Sequence, residues 1–559
     1  MVRRAWPAHD GFAVLLTGAI AAGAWWSAPV PWPLAACLVV VGLIARRATV
    51  LVVALVLLAS ALGDRAESGM TAPEPGPVEG TAMLVGDPVR ASGSVRATIR
   101  LHGRHLEAWA FGEPAVELER RLAGERVSVR GAVSSEPAPA WLRVRHVVGR
   151  VELTSIHWRG DVHPLYRIAN RARRTLDDGS RSMNTEARAL FTGLVIGDDR
   201  EQSPETTDDF VGSGLSHLLA VSGQNVAFVL TLVEPLSRRL GLRSRLVLML
   251  AVLVVFATIT RFEPSVLRAT AMAGIATTAA TLGRPTASLR VLALAVGGLV
   301  LVDPFLVRSV GFGLSVTASA GIVALSARIA RAVPGPEVLG RALGVVLAAQ
   351  VGVTPLLLLV FGGVPVVSPI ANLLAEPLAG AVMVWGSSAG LLAGLAPEPV
   401  AVLVHMPTGW AVGWIAAVAR WGAGAGLGEL GLLTAVGALA AGSVAVWQRG
   451  RRRGLAAVAA LAALVAMAVP GVQLRRHDGP RRLESVGTLW IDASRDHEVL
   501  ELDHTARPST ALRALRALGV DQLDAIVVPS GSAGARVVAL LGRRIRIDRV
   551  VDEGPAPNR

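Results

Sequence analysis

The feature that most constrains the fold of this 559-residue chain is a series of long apolar runs, separated by arginine-containing loops. A helix of about 20 apolar residues is long enough to cross the ~30 Å hydrocarbon core of a bilayer. Hydrophobic residues make up 52% of the whole chain, more than a soluble protein of this size needs. We therefore predict a polytopic α-helical protein of the cell membrane.

The loop arginines predict the orientation, because cytoplasmic loops carry an excess of basic residues. Arg3 and Arg4 precede the first run, and Arg46 and Arg47 separate the second from the third. This places the N-terminus in the cytoplasm and the region after the third run outside. Four later arginine clusters fit the same alternation, and they lie at residues 238–245, 284–290, 328–341 and 449–453.

The runs predict about thirteen spans and an extracytoplasmic C-terminal tail. Three spans lie within residues 1–63, and 366–396 is long enough to contain a break or a re-entrant loop. The predicted spans of the main bundle, 213–471, are 213–237, 244–260, 265–283, 288–303, 305–327, 342–361, 366–396, 400–420, 427–447 and 454–470.

Residues 64–163 have a different pattern, in which apolar and polar residues alternate in short runs such as "VRATIRLHG" and "ERVSVRGAVSS". Alternation with a period of two, interrupted by turn residues, predicts strands. About five short strands suit a small β-barrel of the OB type. OB domains bind single-stranded nucleic acid on aromatic side chains. Because this region shows few aromatics, such as Trp109, Phe111 and Trp141, we favour a structural barrel.

Residues 164–212 are polar and predicted to be helical, with arginines on one amphipathic stretch. One interpretation is a helix that lies on anionic lipid. The alternative is a basic collar that binds a polyanion. The arginines are Arg167, Arg171, Arg173 and Arg174.

Polar side chains inside predicted spans are candidates for function, because unpaired polar groups are costly in hydrocarbon. The densest set lies in "GLSHLLAVSGQNVAFVL", residues 214–230, where Gly223 would let the helix break. On a continuous helix His217 and Asn225 share one face, whereas Ser222 does not. The candidates of this set are Ser216, His217, Ser222, Gly223, Gln224 and Asn225.

Three further polar sets favour a pathway through the bundle over helix–helix hydrogen bonding alone. Arg268 is predicted to be held by a carboxylate or a carbonyl, with Asp303 or Glu376 as the preferred partner. The candidates are Arg261 and Glu263 at an outer mouth, Arg268 within a span, then Asp303, Arg308 and Ser315, and finally Asn372 and Glu376.

These segments resemble the ComEC competence family, membrane channels thought to pass single-stranded DNA inward during natural transformation. Its His-Leu-x-Ala-x-Ser-Gly signature is matched by His217, Leu218, Ala220, Ser222 and Gly223. "ALFTGLVIGDDR", "PSVLRATAMA", "DPFLVRSVGFGLS" and "FGGVPVVSPIANLLAEPL" resemble other family segments in the same order. Many members have a second histidine at the position of Asn225, which weakens any two-histidine metal site or catalytic pair here.

The resemblance implies a competence-type channel domain at 213–471 that imports single-stranded DNA. The implied partners are single-stranded DNA, membrane lipid, a DNA-receptor protein, a cytoplasmic DNA-translocating ATPase and a second copy in a homodimer. Two other functions remain open. One is a small-solute or lipid permease, and the other is an intramembrane hydrolase with Ser222 as nucleophile and His217 as base.

The tail, residues 480–559, resembles the metallo-β-lactamase-like domain of many family members. That domain needs clustered His and Asp to bind metal and activate water. After the predicted strand "LDAIVV", the ligand positions hold Ser530, Ser532, Gly534 and Ala535. We therefore predict a degenerate domain without metal, cofactor or enzymatic activity. Other acidic and histidine residues of the tail are interpreted as surface charge, namely Asp492, Asp496, His497, Asp503 and His504.

Overall fold

The structure is a computed structural model. It describes residues 10–431, apart from 92, 137, 285 and 426, and residues 479–552, apart from 484–485, 493–496, 504–505, 507, 518–519, 521, 530–531 and 543–544. Several predictions fall outside the described residues, namely those for Arg3, Arg4, Asp496, His504 and Ser530, for the arginines at 449–453, for the span 454–470 and for most of the span 427–447.

The described chain divides into two compact units. The first contains residues 1–202, 217–353 and 377–413, and the second contains 203–216, 354–376 and 414–559.

The first unit begins with three apolar helices, α1 (Asp10–Trp26), α2 (Trp32–Ala45) and α3 (Ala48–Ser68). α2 ends at Arg46, whose left-handed conformation lets its backbone N–H reach the last carbonyls of the helix. Ile20 and Ala59 pack with Leu292 and Val296 in one apolar cluster. This cluster joins the N-terminal helices to the main bundle.

A six-stranded sheet follows in the order β1-β5-β6-β4-β3-β2, and β1 also pairs with β3. The β4–β6 pairing is parallel, and the other pairings are antiparallel. Alternate residues such as Ile99 and Leu101 are buried, as period-two alternation predicts. The strands are β1 (Gly76–Leu84), β2 (Val89–Ala91), β3 (Ser94–Leu101), β4 (Arg104–Ala110), β5 (Glu125–Val133) and β6 (Val147–Val162), with short helices α4 (Gly112–Glu119) and α5 (Ala140–Arg143).

Three helices connect the sheet to the bundle, α6 (Pro164–Ser180), α7 (Thr185–Ile196) and α8 (Pro204–Gly212). α7 begins at the Asn184 cap and ends at Gly197, which has a positive φ of 68°. The loop after α7 therefore turns sharply and carries its acidic residues back toward α6.

Within the described residues, apolar helices lie at or near most of the predicted spans of the bundle. Of the described helices, six are long and apolar enough to cross a membrane, and they are α3, α10, α13, α14, the segment 368–393 and α17. The helices are α9 (Gly223–Ser237), α10 (Leu242–Ile259), α11 (Pro264–Thr281), α12 (Ser288–Val302), α13 (Val310–Ala332), α14 (Glu337–Phe361), α15 (Ser368–Trp385), α16 (Leu391–Ala393) and α17 (Glu398–Gly424).

Two predicted spans differ in detail from the observed helices. The span predicted at 213–237 contains a 3₁₀ turn at Ser216–Leu218, and its α-helix begins only at Gly223. The helix starts there because Ser222 caps it with its side chain. The long span at 366–396 contains a π-helical turn at Gly386–Gly390.

The tail forms an α/β fold in the second unit. Its five-stranded sheet has the order β15-β13-β11-β10-β9 and buries Leu489, Leu500 and Ile526. A short parallel pair, β12 with β14, accompanies it. A second short pair, β7 (Val364–Pro365) with β8 (Glu429–Leu430), belongs to the same unit but precedes the tail. The elements of the tail are β9 (Gly479–Leu483), β10 (Gly487–Asp492), β11 (His497–Leu502), α18 (Pro508–Ala517), β12 (Gln522–Leu523), β13 (Ala525–Val528), α19 (Ser532–Leu541), β14 (Arg546–Ile547) and β15 (Val550–Asp552).

Candidate functional site

Hydrogen bonds within the polar segment at the start of α9 fix the point at which the helix begins. Ser222 Oγ accepts from the backbone N–H of Gln224 at 3.2 Å, and it donates to Asn225 Oδ1 at 3.2 Å. Because both interactions are local, the Ser222 hydroxyl serves as a helix cap. Its proton is directed to Asn225, whereas a hydrolase would need it directed to His217.

Asn225 lies in the interior, with 1% of its surface exposed. Its Nδ2 donates to the carbonyls of Leu194, at 3.0 Å, and Val195, at 3.4 Å. These carbonyls belong to the last turn of α7 and have no partner inside that helix. Asn225 therefore fastens α9 to α7, while Ser216, His217 and Gln224 are exposed.

α11 holds the same segment at two points, one turn apart. Ser265 Oγ donates to the carbonyl of Val221 at 2.5 Å. The guanidinium of Arg268 lies against Gly223, where an added Cβ would stand 2.5 Å from Nη2. Glycine at 223 thus permits the close approach of Arg268 to the first turn of α9.

The partner of Arg268 differs from the predicted carboxylate. Its Nε donates to Ser315 Oγ at 2.8 Å, and its Nη1 lies 3.3 Å from Met272 Sδ. Asp303, one of the two preferred candidates, instead accepts from His146 in the turn before β6. Arg268 is half-buried, and its described polar contacts are this hydroxyl and the methionine sulfur.

A buried ion cluster lies beside this segment and was not predicted. At its centre is Arg173 of α6, which is 4% exposed. Its Nη2 contacts Asp87 Oδ2 at 3.0 Å and Asp198 Oδ2 at 2.9 Å. Its Nη1 donates to the carbonyls of Ile196 at 3.1 Å and Ile259 at 2.9 Å. One guanidinium thereby joins the sheet, α6, α7 and α10.

Two further arginines complete the cluster. Arg261 contacts both oxygens of Asp87 at 2.9 Å and donates to Asn170 Oδ1 at 2.8 Å. Arg200 donates to both oxygens of Asp198, at 2.7 and 2.6 Å. Such bidentate pairs are strong and geometrically specific.

The arginines keep both central carboxylates ionised. Burial by itself raises the pKa of Asp87, but the charges of Arg173 and Arg261 outweigh it and hold that pKa well below its usual range. Burial likewise opposes ionisation of Asp198, and the hydrogen bonds and charges of Arg200 and Arg173 lower its pKa. The cluster is therefore charged across the neutral pH range.

The ion cluster changes the interpretation of the predicted basic collar. Arg173 is internal and does not lie on an exposed face. Arg174 pairs with Glu125 at 2.6 Å, and Arg167 donates to the carbonyl of Val162 at 3.3 Å. Arg171 is exposed. Periodicity placed these residues on one helix but could not show that Asp87 and Asp198 approach that helix.

The two residues predicted at the outer mouth, Arg261 and Glu263, have different environments. Arg261 belongs to the ion cluster, and Glu263 is half-buried at the start of α11. Burial raises the pKa of the Glu263 carboxyl, and the nearby Asp199 raises it further against the charge of Arg145. The signal that sequence reasoning missed was the acidic pair Asp198–Asp199 next to Arg200.

The remaining candidates have local partners. Asp303 accepts from His146 Nε2 at 3.1 Å, and Arg308 pairs with Glu67 at 2.5 Å. In the second unit, Asn372 donates to the carbonyl of Ser368 at 2.8 Å within its own helix, and Glu376 is half-buried.

The His146–Asp303 contact predicts a pH-dependent stability. The hydrogen bond that His146 donates to Asp303 raises the pKa of His146, although burial opposes it. A raised folded-state pKa gives stability that is complete below the ordinary value of about 6.5 and is lost as pH rises through the raised value. We expect the Tm difference between the parent and His146→Gln to be largest at acidic pH and to shrink toward alkaline pH. A difference that does not vary with pH would contradict this.

In the tail, Asp492 and His497 face each other in the β10–β11 register, and Asp503 accepts from Arg482 at 3.0 Å. Ser532, Gly534 and Ala535 lie in α19. In the described part of the chain, no group of three or more His, Cys, Asp or Glu is arranged to hold a metal ion.

Comparison with known proteins finds a matching family model and a curated relative. Residues 194–469 match the family model described as Competence protein. ComE operon protein 3 of Bacillus subtilis (strain 168) is 26% identical over 249 residues, which cover 42% of this chain and 32% of that protein. The chain thus spans about a third of the length of this curated relative. No solved structure matches the chain.

Proposed function

Because residues 194–469 make the chain a member of the competence protein family, we propose that it is a membrane channel for the import of single-stranded DNA in natural transformation. The observation that carries this proposal is the interruption of the predicted span before α9, which begins only at Gly223. There His217 and Gln224 of the family segment lie on the protein surface, and the guanidinium of Arg268 lies against Gly223.

The chemistry of this segment suits a conduit. A channel needs contacts that are weak and repeated, so that the cargo can leave each site. His217 and Gln224 offer hydrogen bonds without a fixed charge, whereas a dense arginine ring would retain phosphates. Arg268 contributes one cationic group at the N-terminal end of α9, where the helix dipole also favours negative charge.

The proposal includes an OB-like barrel outside the membrane. Its support is the pairing of β1 with both β5 and β3, which lets five strands close on themselves. The parallel β4–β6 pairing and the position of α4 between β4 and β5 also fit a five-stranded Greek-key barrel. The ion cluster would fix this barrel to the bundle.

The remaining parts of the proposal rest on the arginine distribution and on the resemblance to the competence family. About thirteen spans place the N-terminus in the cytoplasm and the barrel and tail outside. The partners are lipid, a DNA-receptor protein, a cytoplasmic DNA-translocating ATPase and a second copy of the chain. The tail acts as a degenerate domain without nuclease activity.

The test compares two substitutions in a transformable host that carries this protein as its sole competence channel. We expect His217→Leu to reduce entry of labelled single strands into the cytoplasm while DNA still binds the cell surface and membrane levels stay normal. Leucine is favourable in a span, so insertion is not impaired. Asn225→Leu should instead reduce the amount of folded protein, because the carbonyls of Leu194 and Val195 lose their donor.

The matched control is Thr231→Leu. Thr231 is exposed on α9, about two turns after Gln224, and its hydroxyl donates to a carbonyl of the same helix. The substitution should leave uptake unchanged. Normal uptake by His217→Leu at normal membrane levels would refute the proposed role of this segment.

A further inference from the structure

A buried polar pair on α17 has no role in the proposed pathway. His405 and Thr408 lie one turn apart, with 2% and 3% of their surfaces exposed. Neither ring nitrogen of His405, nor Thr408 Oγ1, has a hydrogen-bond partner among the described residues. Since each unsatisfied buried polar group costs about 1–3 kcal/mol, three such atoms within one helical turn call for a ligand.

The surroundings of the pair are built by a π-helical turn. The ring of Phe191 meets the His405 ring edge-on, with centroids 5.1 Å apart. An added Cβ on Gly390 would stand 3.3 Å from Phe191 Cζ and 3.7 Å from His405 Cε1, and one on Gly386 would stand 3.0 Å from Phe191 Cε2. The two glycines thus form a notch that admits Phe191 and brings the π-helical backbone beside the imidazole. Such π-helical turns are rare and often occur at functional sites.

We propose that His405 and Thr408 bind buried water against this π-helical turn, and that the hydrated site makes His405 a proton-exchanging group within the membrane-spanning part of the protein. A neutral imidazole offers one donor and one acceptor, and a threonine hydroxyl offers a donor and acceptors. Together they supply the two to four partners that a buried water requires.

The protonation chemistry follows from the residue type. Histidine is the side chain whose ordinary titration lies nearest neutral pH. An ionisable side chain inside a membrane span is costly, and such residues occur in ion pathways and proton relays. The site is formed by α7, the π-helical turn and α17, and its hydration does not depend on the cargo proposed above.

The experiment is X-ray radiolytic labelling of the full chain in lipid nanodiscs, read by mass spectrometry. Bound water generates hydroxyl radicals in place, so a hydrated buried side chain is oxidised although bulk solvent cannot reach it. The internal control is Met249 of α10, which is buried at 6% exposure and belongs to a residue type that oxidises readily. We expect His405 to be oxidised several-fold faster than Met249.

Two variants sharpen the test. Thr408→Val keeps the side-chain size but removes the hydroxyl, and it should slow oxidation of His405 several-fold. His405→Phe should leave Tm unchanged or lower it, because the bound water loses its partners. Oxidation of His405 no faster than that of Met249 would overturn the proposal, as would a higher Tm for His405→Phe, since removal of dry, unsatisfied nitrogens stabilises a protein. The first measurement uses the unaltered chain and does not depend on the variants folding.

Discussion

Replacing Arg173 by leucine is expected to lower the free energy of unfolding by about 3–5 kcal/mol, because removal of one partner leaves buried charges uncompensated. Asp87 and Asp198 would both lose a cationic partner, and the carbonyls of Ile196 and Ile259 would lose a donor. The stability of a typical domain is only about 5–15 kcal/mol. The expected result is therefore a sharp fall in Tm and in the yield of monodisperse protein in detergent.

The matched control is Arg171→Leu, which removes an exposed arginine two residues earlier on α6. Exposed charges contribute little, so Tm should barely change. Arg173→Lys should behave much like Arg173→Leu, because an ammonium cannot reach two carboxylates and two carbonyls with the planar geometry of a guanidinium. Equal Tm values for Arg173→Leu and Arg171→Leu would show that the ion cluster does not hold the sheet and helices together.

Replacing Arg268 by leucine is expected to reduce DNA uptake by about tenfold or more, since one hydrogen bond to a charged group contributes ~1.5–3 kcal/mol. The protein should still reach the membrane, because leucine is favourable at that depth. What is lost is the cationic group beside Gly223 at the start of α9. The measurement is cytoplasmic entry of labelled single strands, normalised to membrane protein and to surface-bound DNA.

Ser315→Ala separates positioning from charge. It removes the acceptor of Arg268 Nε but keeps the guanidinium, so uptake should fall less than with Arg268→Leu. Arg268→Lys should recover part of the activity if a positive charge is the requirement. Parental uptake by Arg268→Leu would exclude a role for this arginine in the pathway.

The positions of the bundle helices were predictable because the length of an apolar run is a local property that directly matches bilayer thickness. The strands of the N-terminal sheet were predictable for a similar reason, since alternation with period two records one buried face. The break at Gly223 was also visible locally, because glycine is a poor helix former, whereas the cap that Ser222 provides was recognised only in the structure.

The partners of the polar residues were decided by the tertiary structure. Arg173 looked like one of four surface arginines, yet it alone of the four lies where Asp87 and Asp198 converge. Asn225 looked like part of a pathway, yet it binds the end of α7, and Arg268 met a serine in place of the predicted carboxylate. Sequence spacing predicts which side chains share a face of one helix. Which residue of a distant segment meets that face depends on how the elements pack, and in a buried site that meeting determines whether a charge binds a ligand or holds the fold.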